Sequence, residues 1–102
     1  MVKLLKDRLR EVEELCRKYD VRRLFVFGSV LTSRFCEKSD IDFAVDFNQD
    51  AIDNLYDNFY SLHQDLIALF NRPIDLIEND AIRNPYFLSE YTKTRQLIYG
   101  PA

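Results

Sequence analysis

The chain has 102 residues, 47% of them hydrophobic and 30% charged, with a net charge of −3 and a pI near 5.1. That length suits one domain with a real core and leaves no room for a catalytic domain plus an accessory one, and the composition argues against disorder. The acidic balance disfavours nucleic acid as a partner, because sequence-independent binding to phosphate backbones needs basic surface.

Charges interrupt the N-terminus from Lys3 onward, so no secretion signal is legible, and no stretch approaches the roughly 20 apolar residues of a membrane span. A cytoplasmic protein is expected, with Cys16 and Cys36 as thiols. Residues 2 to 18 place Leu5, Leu9, Val12, Leu15, Cys16 and Tyr19 on one stripe, which predicts an amphipathic helix. Arg17, Lys18, Arg22 and Arg23 follow as a solvated basic end favoured by the helix dipole, or as groups that steer a nucleotide.

Leu24 to Phe27 read as a strand apolar enough to lie inside a sheet. Gly28, one of two glycines in the chain, comes directly after it, followed by Ser29. A glycine there admits a phosphate where a Cβ would block it, and a short helical turn from residue 29 would point free N–H groups at an anion.

A second strand is expected from Asp40 to Phe47. Period-two alternation sends Ile41, Phe43, Val45 and Phe47 to a core face, and Asp40, Asp42, Ala44 and Asp46 to the other. Carboxylates two residues apart on one strand lie about 6 to 7 Å from each other. At an effective dielectric of about 20 their repulsion is on the order of 2 to 3 kcal/mol, which a hard divalent cation would reverse. The acidic face reads as a metal site.

Asn48 to Asp50 are expected to cap a helix carrying Ile52, Leu55, Phe59, Leu62, Leu66 and Leu69. His63, the sole histidine, falls within it as a packing or surface residue, since a general base needs a partner. Asn71-Arg72-Pro73 ends the helix, and Ile74 to Ile77 form a third strand with Asp75 opposite Ile74 and Leu76. The tail from Asn79 is expected to be mostly helical and interrupted at Asn84-Pro85. Some of Tyr86, Phe87, Leu88, Tyr91, Leu97, Ile98 and Tyr99 are expected to complete the core, with exposed tyrosines as candidates for docking a partner, and Lys93 and Arg95 are candidate contacts to a triphosphate.

Gly28-Ser29, then Asp40-Ile41-Asp42, then Asp75 in Pro73-Ile74-Asp75-Leu76-Ile77 resembles the nucleotidyltransferase superfamily that includes DNA polymerase β, and within it the minimal nucleotidyltransferases. The resemblance spans roughly residues 20 to 80. It implies an α/β (α+β) fold with a small mixed sheet packed with helices. It also implies transfer of a nucleotide from a triphosphate, ATP favoured, with two Mg²⁺ ions held by Asp40, Asp42 and Asp75. In that scheme Asp75 serves the ion that activates the nucleophile, while Gly28, Ser29 and Ser39 contact the β- and γ-phosphates. Similar proteins act with a separate helical HEPN-type toxin, and the antitoxin member transfers AMP to a tyrosine of the toxin. Thr32 and Ser33 stand where such proteins commonly carry Arg and Gly, and Arg34 is a candidate replacement. That departure keeps open the alternative of an antitoxin that neutralises its partner by contact, with a weak nucleotide site. Transfer to a small hydroxylated compound fits less well, since relatives of that kind carry an additional acceptor domain.

Overall fold

The computed structural model describes residues 3–32, 35–36 and 39–101. The expected N-terminal helix is split into α1 (Lys3–Asp7) and α2 (Leu9–Lys18). Arg8 leaves helical geometry at φ −113° and ψ 8°, although neither proline nor glycine marks the break. Leu5, Val12 and Cys16 are buried, so both pieces serve one apolar stripe.

Strand β1 (Val21–Phe27) begins three residues earlier than its apolar run, since Arg22 and Arg23 lie within it. Strand β2 (Ile41–Phe47) follows, then helix α3 (Leu55–Phe70) and strand β3 (Ile74–Glu78). Asn48 to Asp50 do not cap α3. They lead into a 3-10 turn at Gln49–Ala51, and Asn54 is the cap, its side chain accepting from the Asp57 N–H at 3.1 Å. Ile52 therefore precedes the helix. Asn71 ends α3 in left-handed geometry at φ 51°, as its place before Arg72-Pro73 predicts.

The tail departs most from expectation. Asn84 and Pro85 start helix α4 (Pro85–Thr94) instead of interrupting one. The Asn84 side chain accepts from the N–H groups of Tyr86 and Phe87, and Pro85 occupies the first turn, where its missing donor costs nothing. Gln96–Tyr99 form a fourth strand, β4, so Asp75 does not sit on the last strand of the chain.

The sheet order is β3-β2-β1-β4. β1 runs antiparallel to both β2 and β4, and β2 is parallel to β3 through the α3 crossover. The expected mixed sheet is present, with β1 inside it. On one face Leu24, Val26, Ile41, Phe43 and Val45 meet the three helices α1 to α3. On the other, Phe25, Phe27 and Ala44 meet α4 through Tyr91, the one buried residue of that helix. β2 thus alternates as the period-two pattern predicts, but its second face is covered by an aromatic cluster at Ala44 and stays open only near its N-terminal end. No helix among the described residues is long and apolar enough to cross a membrane.

Candidate active site

Parallel pairing sets Asp42 of β2 opposite Asp75 of β3, while antiparallel pairing sets Asp42 opposite Phe27 of β1. Paired residues project to the same side of a sheet, so Asp42 and Asp75 share the face that carries Phe27. Asp42 is half-buried and Asp75 exposed. The Asp42 carboxyl is raised from the ordinary range to about 6, first by burial, then by the negative charges of Asp75 and Asp40, and also by hydrogen bonding with Asp75. Two acids held this way repel unless a proton or a cation lies between them.

Asp40 is exposed and precedes β2, which starts at Ile41 rather than at Asp40. It is near enough to act on Asp42 by charge but is not fixed by the strand ladder. Among the described residues no group of three acidic, histidine or cysteine side chains is gathered closely enough to hold a metal ion as placed. The donor set nevertheless suits Mg²⁺, which commonly takes one or two carboxylates and completes its octahedron from phosphate and water. The Asp42 and Asp75 pair, with Asp40 at its margin, meets that requirement.

Gly28 follows β1 at φ +77°, and a Cβ placed there would stand 2.3 Å from Asp42 Oδ2. The glycine is needed first because the Asp42 carboxylate lies against the turn, which adds a second reason to the phosphate approach expected from the sequence. We predict that Gly28→Ala loses about 1 to 3 kcal/mol of stability, measured by urea denaturation, because it combines a strained φ with displacement of Asp42. Ser29 lies in the 3-10 turn Gly28–Leu31 that the sequence predicts. The turn is closed by Thr32, whose N–H and hydroxyl both donate to the Ser29 carbonyl, at 2.9 and 2.8 Å.

The structure gives Ser39 two contacts inside the loop: its hydroxyl accepts from the Cys36 N–H at 3.1 Å and lies 3.4 Å from the Cys36 Sγ. Arg72, which sequence reasoning passed over, donates from one nitrogen to the Cys36 and Ser39 carbonyls, both at 3.2 Å, and stacks on Phe35. It ties the start of β3 to the loop carrying Ser39 and Asp40. The only sequence signal for it was its place before Pro73. Ser33 and Arg34, and with them the question of a substitute phosphate contact, lie outside the described residues.

The other candidates take structural places. Asp46, on the predicted acidic face, accepts from Arg23 at 2.7 and 3.0 Å and is removed from the Asp42 pair. Arg95 lies over Phe25 and donates to Asn79, which also accepts from the Tyr91 hydroxyl. Lys18 pairs with Asp65, to which Tyr19 also donates. His63 Nε2 donates to the Ile74 carbonyl at 2.6 Å and so braces β3. Cys16 is buried, Cys36 is exposed, and neither forms a disulfide.

Residues 10–101 match the family described as "Polymerase beta, Nucleotidyltransferase". A candidate protein adenylyltransferase of Methanocaldococcus jannaschii is 36% identical over 83 residues, covering 80% of this chain and 82% of that protein. A second one from the same organism is 30% identical over the same shares. Among solved structures, a candidate minimal nucleotidyltransferase superposes with a TM-score of 0.75 at 24% identity, over 93% of this chain and 95% of that one. A Shewanella oneidensis complex of a tri-AMPylated HEPN toxin with its MNT antitoxin gives a TM-score of 0.64 at 19% identity, over 94% of this chain and 72% of that one. These two likenesses concern the fold. With the family match over most of its length and a relative at 36% identity, the chain belongs to the polymerase beta nucleotidyltransferase family.

Proposed function

We propose that this nucleotidyltransferase moves AMP from ATP to a hydroxyl of a protein partner, in a Mg²⁺-dependent reaction. The observation that carries the reading is the facing of Asp42 and Asp75 across a parallel strand pair, against a glycine turn. The names of the relatives support protein as the acceptor class, and the superposed toxin and antitoxin complex supports a HEPN-type helical protein as the partner.

Divalent ions bound at Asp40, Asp42 and Asp75 would supply Lewis-acid stabilisation of the triphosphate and a lowered pKa for the attacking hydroxyl. Asp40 and Asp42 would hold both ions, and Asp42, fixed in the strand ladder, would set the position of the α-phosphorus at the sheet end. Asp75, exposed on the outer strand, orients the acceptor hydroxyl and takes its proton. Gly28, Ser29 and Ser39 hold the β- and γ-phosphates. The acceptor oxygen forms a bond to the α-phosphorus as the bond to the α,β-bridging oxygen breaks, and pyrophosphate leaves with that electron pair. Most of the acceleration comes from alignment and fixed charge, since phosphoryl transfer asks little covalent chemistry of the protein.

With α-labelled ATP and a co-expressed partner, label is expected on the partner. Asp75→Asn is expected to keep the Mg²⁺-ATP thermal shift while losing turnover by about 10²-fold. Equal loss of binding and turnover contradicts its role. A second reading, neutralisation by contact alone, is favoured by the open arrangement of Asp40 relative to the other two carboxylates. A thermal shift without transfer to the partner selects it.

A further inference from the structure

Asp40 is the one carboxylate of the three that no strand carries, yet the chain on either side of it is held. Ile41 of β2 faces Ile74 of β3, and the Ile41 N–H donates to the Pro73 carbonyl at 3.2 Å. Bonds in a parallel pair run alternately from each strand to the other. One step towards the N-terminus, the same ladder therefore takes the N–H of residue 73 to the carbonyl of residue 39. Residue 73 is a proline and has no N–H to give. The donor comes instead from the residue before it: the Arg72 guanidinium donates to the Ser39 carbonyl at 3.2 Å. A side chain thus carries the ladder one bond past the point where the backbone can supply it.

We propose that Arg72 is a positioning residue for Asp40, its guanidinium replacing the amide that Pro73 lacks and so aiming the Asp40 carboxylate at a metal site shared with Asp42 and Asp75. The inference rests on the Mg²⁺ reading of those carboxylates. Both peptide groups that flank the Asp40 Cα are bonded, one through the Ser39 carbonyl to Arg72 and the other through the Ile41 N–H to Pro73. Peptide groups are planar, so holding both planes fixes φ and ψ between them, and with these the direction of the Cα–Cβ bond. Arg72 is itself held: the same nitrogen donates to the Cys36 carbonyl at 3.2 Å, and the guanidinium lies over the Phe35 ring at 4.8 Å from its centre. Cys36 and Ser39 close a turn against it, the Ser39 N–H donating to the Cys36 carbonyl at 3.0 Å and the Ser39 hydroxyl accepting from the Cys36 N–H. Because these bonds run to main-chain carbonyls, Arg72 acts on the metal site through Asp40. A direct contact of Arg72 with phosphate is the alternative that the test separates.

The test uses the full chain and Mn²⁺ as the probe, its binding read by electron spin resonance in the presence of α,β-methylene-ATP, which cannot transfer AMP. Arg72→Ala and Asp40→Asn are each expected to weaken Mn²⁺ binding by about tenfold. The pair is expected to be no weaker than Asp40→Asn alone, because residues acting in series do not add. Restoring the missing amide is the sharper arm: Pro73→Ala placed in Arg72→Ala is expected to recover binding to within about threefold of the wild type. In EDTA, exchange of the Ile41 amide is expected to quicken by about tenfold in Arg72→Ala and to slow again when Pro73→Ala is added. The amides of Phe43 and Val45 are expected to stay protected in every variant, which shows that the sheet is formed. Additive losses in the pair overturn the positioning role and give Arg72 to the triphosphate. A loss that Pro73→Ala does not restore, or Ile41 exchange unchanged in Arg72→Ala, also overturns it. Mn²⁺ binding that neither Asp40→Asn nor Asp42→Asn weakens removes the metal reading, and the exchange arms in EDTA then uphold or overturn the brace on Asp40 by themselves.

Discussion

Asp42→Asn is expected to make the metal-free protein more stable at pH 7 to 8 while reducing AMP transfer by about 10³-fold, the loss of several kcal/mol of charge stabilisation at the phosphorus. The two effects have one cause. In the folded chain the Asp42 carboxyl titrates near 6, raised from 3.8 by burial and by Asp75 and Asp40. A native state that holds its proton more tightly than the unfolded chain loses stability as pH rises from about 4 to about 6, and the loss then stays constant. Because the group is half-exposed and water screens its neighbours, the net effect is discounted to about 1 to 2 kcal/mol. For a chain of this size that corresponds to a rise of roughly 5 to 10 °C in Tm for Asp42→Asn in EDTA at pH 7.5, shrinking towards zero at pH 4. Adding Mg²⁺ and ATP is expected to reverse the order, raising the Tm of the wild type and leaving Asp42→Asn unmoved. A variant no more stable than the wild type in EDTA contradicts the repulsion on which the site reading rests.

Tyr91→Ala is expected to cost about 3 to 5 kcal/mol and to release α4 from the sheet. Tyr91 is 2% exposed and the one buried residue of α4. Its ring meets Phe25 and Phe27 edge-on at 6.3 and 5.2 Å, and its hydroxyl donates to Asn79 at 2.6 Å. Asn79 also accepts from Arg95 and reaches Asp46, which in turn holds Arg23. Removing the ring leaves a cavity against Phe27, next to Asp42, and breaks the link between α4 and the end of β3. Tyr91→Phe keeps the ring and should cost only about 1 kcal/mol, one partly buried hydrogen bond. Urea denaturation of the pair separates packing from hydrogen bonding. Hydrogen exchange should show amides of residues 85–94 opening in Tyr91→Ala before the rest of the chain. Global unfolding with no selective loss over α4 contradicts the view that Tyr91 is the main anchor of that helix, to which Phe87 adds a second ring against Phe27.

Local signals were legible wherever one residue type had one plausible use. Alternation from Ile41 to Phe47 gave β2 its two faces, Asn71 before Arg72-Pro73 gave the end of α3, and the apolar run before Gly28 gave an inner strand. Signals failed where the outcome depended on a distant partner. Asn48 and Asp50 have the right chemistry for a helix cap, but Asn54 is the residue that meets the first turn of α3. Gln96–Tyr99 are all partly buried and carry no clean alternation, so only pairing with β1 makes them a strand. Arg23 and Arg95 stood open as candidate nucleotide contacts because a sequence lists charges without their partners, and Asp46, Asn79 and the rings of Phe25 and Tyr91 claim them.

By itself the sequence determined the chemical parts: a glycine after an apolar strand, carboxylates at alternate positions, and a third carboxylate following a helix long enough to return the chain parallel. Only the tertiary structure decided which carboxylates face each other. Side-chain spacing along one strand is set by the backbone, whereas the opposition of Asp42 to Asp75 depends on the register of two strands separated by α3. It also decided that Asp40 stands just outside the ladder, because β2 begins one residue later than its alternation suggests.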